Sequence, residues 1–155
     1  MVAGNRCHND DDVLVKGSYS YRQEVSGRTF TATLPARVCP TCGEKLVAYE
    51  DLHPVNMAVA KALAREGPID GPSFRFMRTT LRMKAIDLAK LLDVTPETIS
   101  KWENNKTPVL RSAWLVLTEM VLDEVGQGSR TPMRDRLADL AKGKRPRKHV
   151  RLDAA

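Results

Sequence analysis

LRMKAIDLAKLLDVTPETISKWENNKTP, residues 81–108, is the stretch whose reading decides the fold. Ile86, Leu88, Ala89 and Leu92 recur at helical spacing and make one buried face. A turn of three or four residues centred on Asp93-Val94 follows. Thr95-Pro96-Glu97-Thr98 then reads as an N-cap, a proline at the first helical position and an acid in the first turn. Ile99 and Trp102 take the inward positions of this second helix, and Trp102 belongs to the core. Small Ala89 lets the two helices cross closely, while Val94 plugs the corner between them. The layout is that of a helix-turn-helix.

The solvent face of the second helix is Pro96, Glu97, Thr98, Ser100, Lys101 and Asn104. It is dense in hydrogen-bonding groups, which is what a DNA major groove accepts. Glu97 and Lys101 are also spaced to pair with each other along the helix.

Working outward, Phe74, Met77 and Leu81 share a face of a preceding helix that starts at Ser73. A fourth helix is expected over 111–125, with Trp114, Leu117, Val121 and Val125 on one side and Leu115 and Leu122 on another. A fifth, over 131–141, repeats Met133, Leu137 and Leu140. Residues 144–155 read as a basic disordered tail.

Toward the N-terminus the period changes. Tyr19, Tyr21 and Val25 share parity, as do Phe30, Ala32 and Leu34 beyond the Ser26-Gly27 turn signal, which gives a half-buried hairpin within residues 13–38. Leu52, Val55, Val59 and Leu63 then mark a helix over 51–66, with Pro54 in its first turn and Gly67 as its stop. GPIDGP, residues 67–72, carries two Gly-Pro pairs and little to bury, so the boundary between domains falls there.

Hydrophobic content of 42% is ordinary, and no apolar run approaches the roughly 18–20 residues of a membrane span. Asn5, Arg6 and Asp10 to Asp12 interrupt any signal peptide, and three cysteines argue against a disulfide framework. These features point to a reducing, cytoplasmic compartment. The net charge of +6 is uneven: residues 142–151 hold six Lys/Arg and no acid, leaving 19 basic against 19 acidic groups elsewhere. Residues 73–111 carry eight Lys/Arg against four Asp/Glu, whereas residues 1–72 carry eight against nine. Positive charge concentrated in the second half suggests a polyanionic partner.

Cys39-Pro40-Thr41-Cys42-Gly43 is the remaining motif. A redox pair would open a helix inside a βαβ unit, but Gly43 follows at once and no second parallel strand is visible. A zinc knuckle uses the glycine for a tight turn whose N–H groups point at sulfur. Three cysteines plus one further residue could hold the metal. A zinc deaminase is excluded, because its H-x-E and P-C-x-x-C pattern is missing.

The run LAKLLDVTPETISKWENNKTP resembles the helix-turn-helix of the Cro/repressor-like, xenobiotic-response-element (XRE) type of bacterial regulators, with Asn105 where a glycine is usual. The resemblance implies that Glu97, Thr98 and Lys101 face base edges, with Pro96 beside them. It places Lys84, Lys90, Asn104, Lys106 and Thr107 along the phosphates. It also implies a homodimer on a palindromic double-stranded operator; the apolar stripe of the fourth helix, wider than one packing partner needs unless it merely closes the helical domain, places that dimer at the fourth and fifth helices.

The order of an N-terminal thiol site, hairpin, C-x-x-C-G, short helix and C-terminal helix-turn-helix is similar to that of the zinc-finger antitoxins of the MqsA type (YgiT-type zinc finger). This resemblance implies a structural Zn2+, a toxin held by the N-terminal domain, and repression of the antitoxin's own operon. The first pair departs from the family, with Cys7-His8-Asn9-Asp10 placing aspartate where the fourth cysteine stands. The expected ligands are therefore Cys7, Asp10, Cys39 and Cys42, with His8 as the alternative to Asp10.

The expected fold class is α+β: a small N-terminal β-hairpin, zinc-ribbon-like domain (1–66), a linker (67–72), an all-α five-helix helix-turn-helix domain (73–143) and the tail. The expected function is non-enzymatic, with no catalytic residues: an antitoxin and DNA-binding repressor. Two other readings are a free-standing metal- or redox-responsive regulator and a zinc-ribbon adaptor for protein partners.

Overall fold

The computed structural model describes residues 5–126, 142 and 145–152. Its architecture is α+β, a β-sheet followed by helices. Strand β1 (Val15–Val25) pairs antiparallel with β2 (Arg28–Val38) in unbroken register from Val15↔Val38 to Val25↔Arg28. Ser26 and Gly27 turn the chain with φ of 50° and 72°. Two successive positive φ values are the signature of the tight hairpin turn that suits strand twist. The alternation expected from the sequence is present: Tyr21, Val25, Phe30, Ala32 and Leu34 are buried and their neighbours face outward.

A short strand, β3 (Lys45–Leu46), pairs with the far end of β2, and helix α1 (Tyr49–Glu66) follows. It begins two residues before the expected start, which moves Pro54 beyond the first turn. It ends at Gly67 with φ 74°, the backbone state for which glycine is suited. Then come α2 (Gly71–Thr80), α3 (Ala85–Leu91), α4 (Pro96–Glu103) and α5 (Arg111–Glu124). The expected fifth helix over 131–141, with Met133, Leu137 and Leu140, lies outside the described residues.

One apolar core runs from the hairpin into the helices. Phe30, Val59, Leu63, Phe74, Met77, Leu88, Ile99, Trp114, Leu117 and Val121 are fully buried and belong to the same cluster. Helix α1 packs on α2 and α5 as well as on β2.

Residues 67–72 are more ordered than a linker. Asp70 caps α2 by accepting from Ser73 N at 3.0 Å, and the Ser26 hydroxyl donates to the same carboxylate at 2.7 Å. Helix α2 accordingly starts at Gly71, and a Cβ there would lie 2.2 Å from the Trp102 carbonyl oxygen. Only glycine fits so close to the end of α4.

Two further expectations are corrected. Ile86, expected in the buried face of α3, is 48% exposed. At about 100° per residue, Leu88 and Ala89 point inward with Ala85 and Leu92 beside them, and Ile86 and Leu91 fall on the flanks. The tail is also not wholly irregular. Residues His149–Arg151 form β4, which runs parallel to β2 with Thr29↔His149 to Thr31↔Arg151 in register. Val150 is buried beside Phe30, and the buried Arg28 guanidinium donates to the Arg147 carbonyl at 2.7 Å. Glu66 pairs with Arg28 at 2.9 Å and with Arg147 at 2.7 Å. Burial of one side chain and capture of the backbone by Arg28 together fix a segment that composition alone marks as unstructured.

Candidate functional site

The helix-turn-helix is assembled from α3, a tight corner and α4. Asp93 turns the chain at φ 52°, Val94 N donates back to the Ala89 carbonyl at 3.0 Å, and Val94 is half-buried in the corner. Thr95 caps α4 by accepting from Thr98 N at 3.2 Å. Ile99 and Trp102 turn inward, the latter edge-on to Phe74. Arg78 of α2 reaches across to Glu103 with two hydrogen bonds, of 2.5 and 3.1 Å, and spends its third donor on the Met83 carbonyl. This nearly buried ion pair locks α2 against the end of α4; the spacing of its two partners gives no sign of it in the sequence.

The outward face of α4 presents Pro96, Glu97, Ser100 and Lys101 in the open, with Thr98 half-buried. Glu97 and Lys101 pair at 2.8 Å, and Lys101 beside it holds the Glu97 carboxyl below the usual range. Two of the expected base-facing residues thus satisfy each other in the free protein. Asn104, Lys106 and Thr107 are exposed in the loop after α4, Lys84 stands at the start of α3, and Lys90 is exposed in its last turn. Asn105 adopts φ 54° after the helix, and its side-chain oxygen accepts from Gly71 N at 2.8 Å. It therefore ends α4 and satisfies an otherwise orphaned donor of α2.

The second site lies at the base of the hairpin. Cys7, Asp10, Cys39 and Cys42 bring one ligand atom each to within 4.8 Å of all the others. Two turns of the same form deliver them. Gly43 N donates to the Cys39 carbonyl at 3.0 Å and Asp11 N to the Cys7 carbonyl at 3.2 Å. Cys39 N donates to the Glu44 carbonyl and Cys7 N to the Asp12 carbonyl in the same way. Asp10 thus holds the place in the first turn that Cys42 holds in the second. His8 is exposed and outside the cluster.

The separations fit a metal. Tetrahedral zinc, with bonds of about 2.3 Å to sulfur and 2.0 Å to oxygen, requires ligand atoms about 3.5–3.8 Å apart. Cys7 and Cys42 sulfurs are 3.4 Å apart, and Cys39 sulfur lies 3.3 Å from an Asp10 oxygen. Cys7 and Cys39 are buried while Cys42 and Asp10 are exposed. Burial pushes the Cys7 thiol up to about 12, whereas hydrogen bonding from Cys7 holds the Asp10 carboxyl below its usual range. A cation in the cluster would reverse the cost of the thiolate. Glu44, 3.3 Å from Cys7 sulfur, and Asn9, which donates to Glu44 at 3.2 Å, frame the cluster. Neither is marked by sequence spacing, because both arrive through the folding of the two turns.

Residues 75–115 match the model of the helix-turn-helix family, which supports a helix-turn-helix domain of the XRE type over this part of the chain. No curated protein and no solved structure matches the chain. The match supports a DNA-binding transcriptional regulator. No helix among the described residues is long and apolar enough to cross a membrane.

Proposed function

We propose that this chain is a sequence-specific repressor and the antitoxin of a type II toxin–antitoxin pair, with zinc held by Cys7, Asp10, Cys39 and Cys42. The observation that carries the reading is the combination in one chain of a helix-turn-helix domain with two matched ligand-bearing turns at the base of a hairpin. Zinc bound there supplies a structural cross-link between the two turns. His8 stands as the alternative ligand.

On DNA, Lys101 exchanges Glu97 for a guanine edge, Thr98 meets a thymine methyl, Glu97 accepts from a cytosine, and Pro96 packs beside them. Lys84, Lys90, Asn104, Lys106 and Thr107 line the phosphates and supply affinity. The protein works in the cytoplasm as a homodimer on a palindromic operator, because one short helix reads too few base pairs alone. The apolar stripe of α5 does not itself call for a second copy, since Leu115, Leu117, Val121 and Leu122 are already buried within one chain. The N-terminal sheet holds the toxin.

Co-expression with the product of the adjacent reading frame tests the antitoxin role. A stable complex and relief of that product's toxicity are expected, and a harmless neighbour that does not bind sinks it. One observation favours a second reading, a free-standing metal-responsive regulator: Cys42 and Asp10 are exposed, so the site is open to exchange. Operator affinity that follows free zinc in the absence of any protein partner would establish that reading instead.

A further inference from the structure

The C-terminal strand leaves its basic residues in a specific place. Thr29 N donates to the Lys148 carbonyl at 2.7 Å, which sets Lys148 beside the hairpin turn. The next residues of that turn reach α2, through the Ser26 hydroxyl to Asp70 at 2.7 Å. Helix α2 in turn reaches the end of α4, through Gly71 N to Asn105 at 2.8 Å. Three hydrogen-bonded contacts thus connect Lys148 to the loop of Lys106, which is expected along phosphates.

Exposed cations stand at the two ends of this path, and the acids along it have partners. Arg145, Lys148 and Lys106 are exposed. The acids nearby are engaged: Asp70 caps α2, Glu66 pairs with Arg28 and Arg147, and Glu24 pairs with Arg22 at 2.6 Å. Val150 and Arg147 fix this segment, and the Lys148 backbone is held against the hairpin. Ordering the segment on folding removes an entropy cost that a free tail would incur on binding a polyanion.

We infer that the segment leading into the C-terminal strand is a second DNA-backbone contact, in which Arg145 and Lys148 extend the phosphate-binding surface that begins at Lys106. This rests on the DNA-binding reading of α4. The contact is sequence-independent and adds affinity without altering base preference.

The test uses the full chain and a mixed-sequence DNA duplex of about 30 base pairs, since the electrostatic contribution needs no operator. Arg145→Gln/Lys148→Gln leaves Arg147, Val150 and the strand anchor in place. Its log affinity should fall less steeply with log salt, by about 1.8 in slope per bound chain. Over a fourfold rise in salt, the wild type should lose about tenfold more affinity than the double variant. Lys106→Gln should lower the slope by about 0.9. An unchanged slope in the double variant beside a lowered slope in Lys106→Gln overturns the strand contact and leaves the α4 reading standing. A wild-type chain with no salt-dependent duplex affinity overturns both.

Discussion

Asp11 and Gly43 occupy the same place in the two metal-facing turns: each donates its backbone N–H to the carbonyl of the cysteine four residues back, at φ 59° and 74°. This equivalence puts Asp10 in register with Cys42 and favours Asp10 over His8 in the proposed zinc site. Purified without a His-tag, the chain should carry about one equivalent of zinc. Asp10→Ala should weaken zinc binding by more than the roughly 10–100-fold that a lost outer-shell partner costs. His8→Ala should leave it unchanged, and Asp10→Cys should tighten it. Competition with a chromogenic chelator measures all three, and equal losses from His8 and Asp10 would overturn the assignment.

Gly71 and Asn105 give a stability prediction. Gly71→Ala drives a Cβ to 2.2 Å from the Trp102 carbonyl, a backbone atom that cannot step aside. A loss of roughly 3 kcal/mol or more is expected, in the range of strained and overpacked sites. Asn105→Gly relieves the left-handed φ but removes the acceptor for Gly71 N. The lost hydrogen bond, about 1 kcal/mol, should outweigh the relief, so the substitution destabilises. Urea midpoints at constant slope separate the two cases, and a stabilised Asn105→Gly chain contradicts the account.

What the sequence made legible follows from period and spacing. Tyr21, Val25, Phe30 and Leu34 alternate, so the hairpin and its buried face were readable, and Thr95-Pro96 marked the start of α4. Cys39 and Cys42 were readable from their C-x-x-C-G spacing, and the resemblance to the zinc-finger antitoxins pointed to Cys7 and Asp10 as the matching pair. Strand β4 was not, since His149-Val150-Arg151 offers one apolar residue and its partner, Thr29–Thr31, is remote in sequence. Arg28 shares the inward parity of Phe30, Ala32 and Leu34, but a charge at that position does not announce its partners: it is 2% exposed and holds α1, Gly67 and the C-terminal segment together. Buried charge of that kind depends on partners that no local pattern contains.

Glu97 and Lys101 are the pair proposed to take part in recognition. Lys101→Ala removes a donor and should cost about 1–3 kcal/mol on a preferred site, with less loss on unrelated duplexes. Glu97→Gln frees Lys101 and removes a negative charge from the face, so affinity for unrelated duplexes should rise. Electrophoretic mobility shifts on both kinds of fragment distinguish these outcomes, and equal losses from Lys101→Ala on every sequence would make it a phosphate contact instead.

Glu66 controls the hold on the C-terminal strand. Hydrogen bonding from Arg147, aided by the nearby charge of Arg28, lowers its carboxyl pKa, although partial burial opposes the shift. A depressed pKa in the folded chain means that the carboxylate contributes stability above its unfolded value, about 4.3, and loses it as pH falls through the folded value. Protection of the Leu152 amide, which donates to the Thr31 carbonyl at 2.9 Å, should therefore decline in that acid window before the hairpin amides of β1 and β2 are affected. Glu66→Gln should show the reduced protection at neutral pH and no further acid step. Hydrogen exchange read amide by amide checks the order, and simultaneous loss in β4 and the hairpin would show that Glu66 stabilises the whole sheet rather than the strand alone.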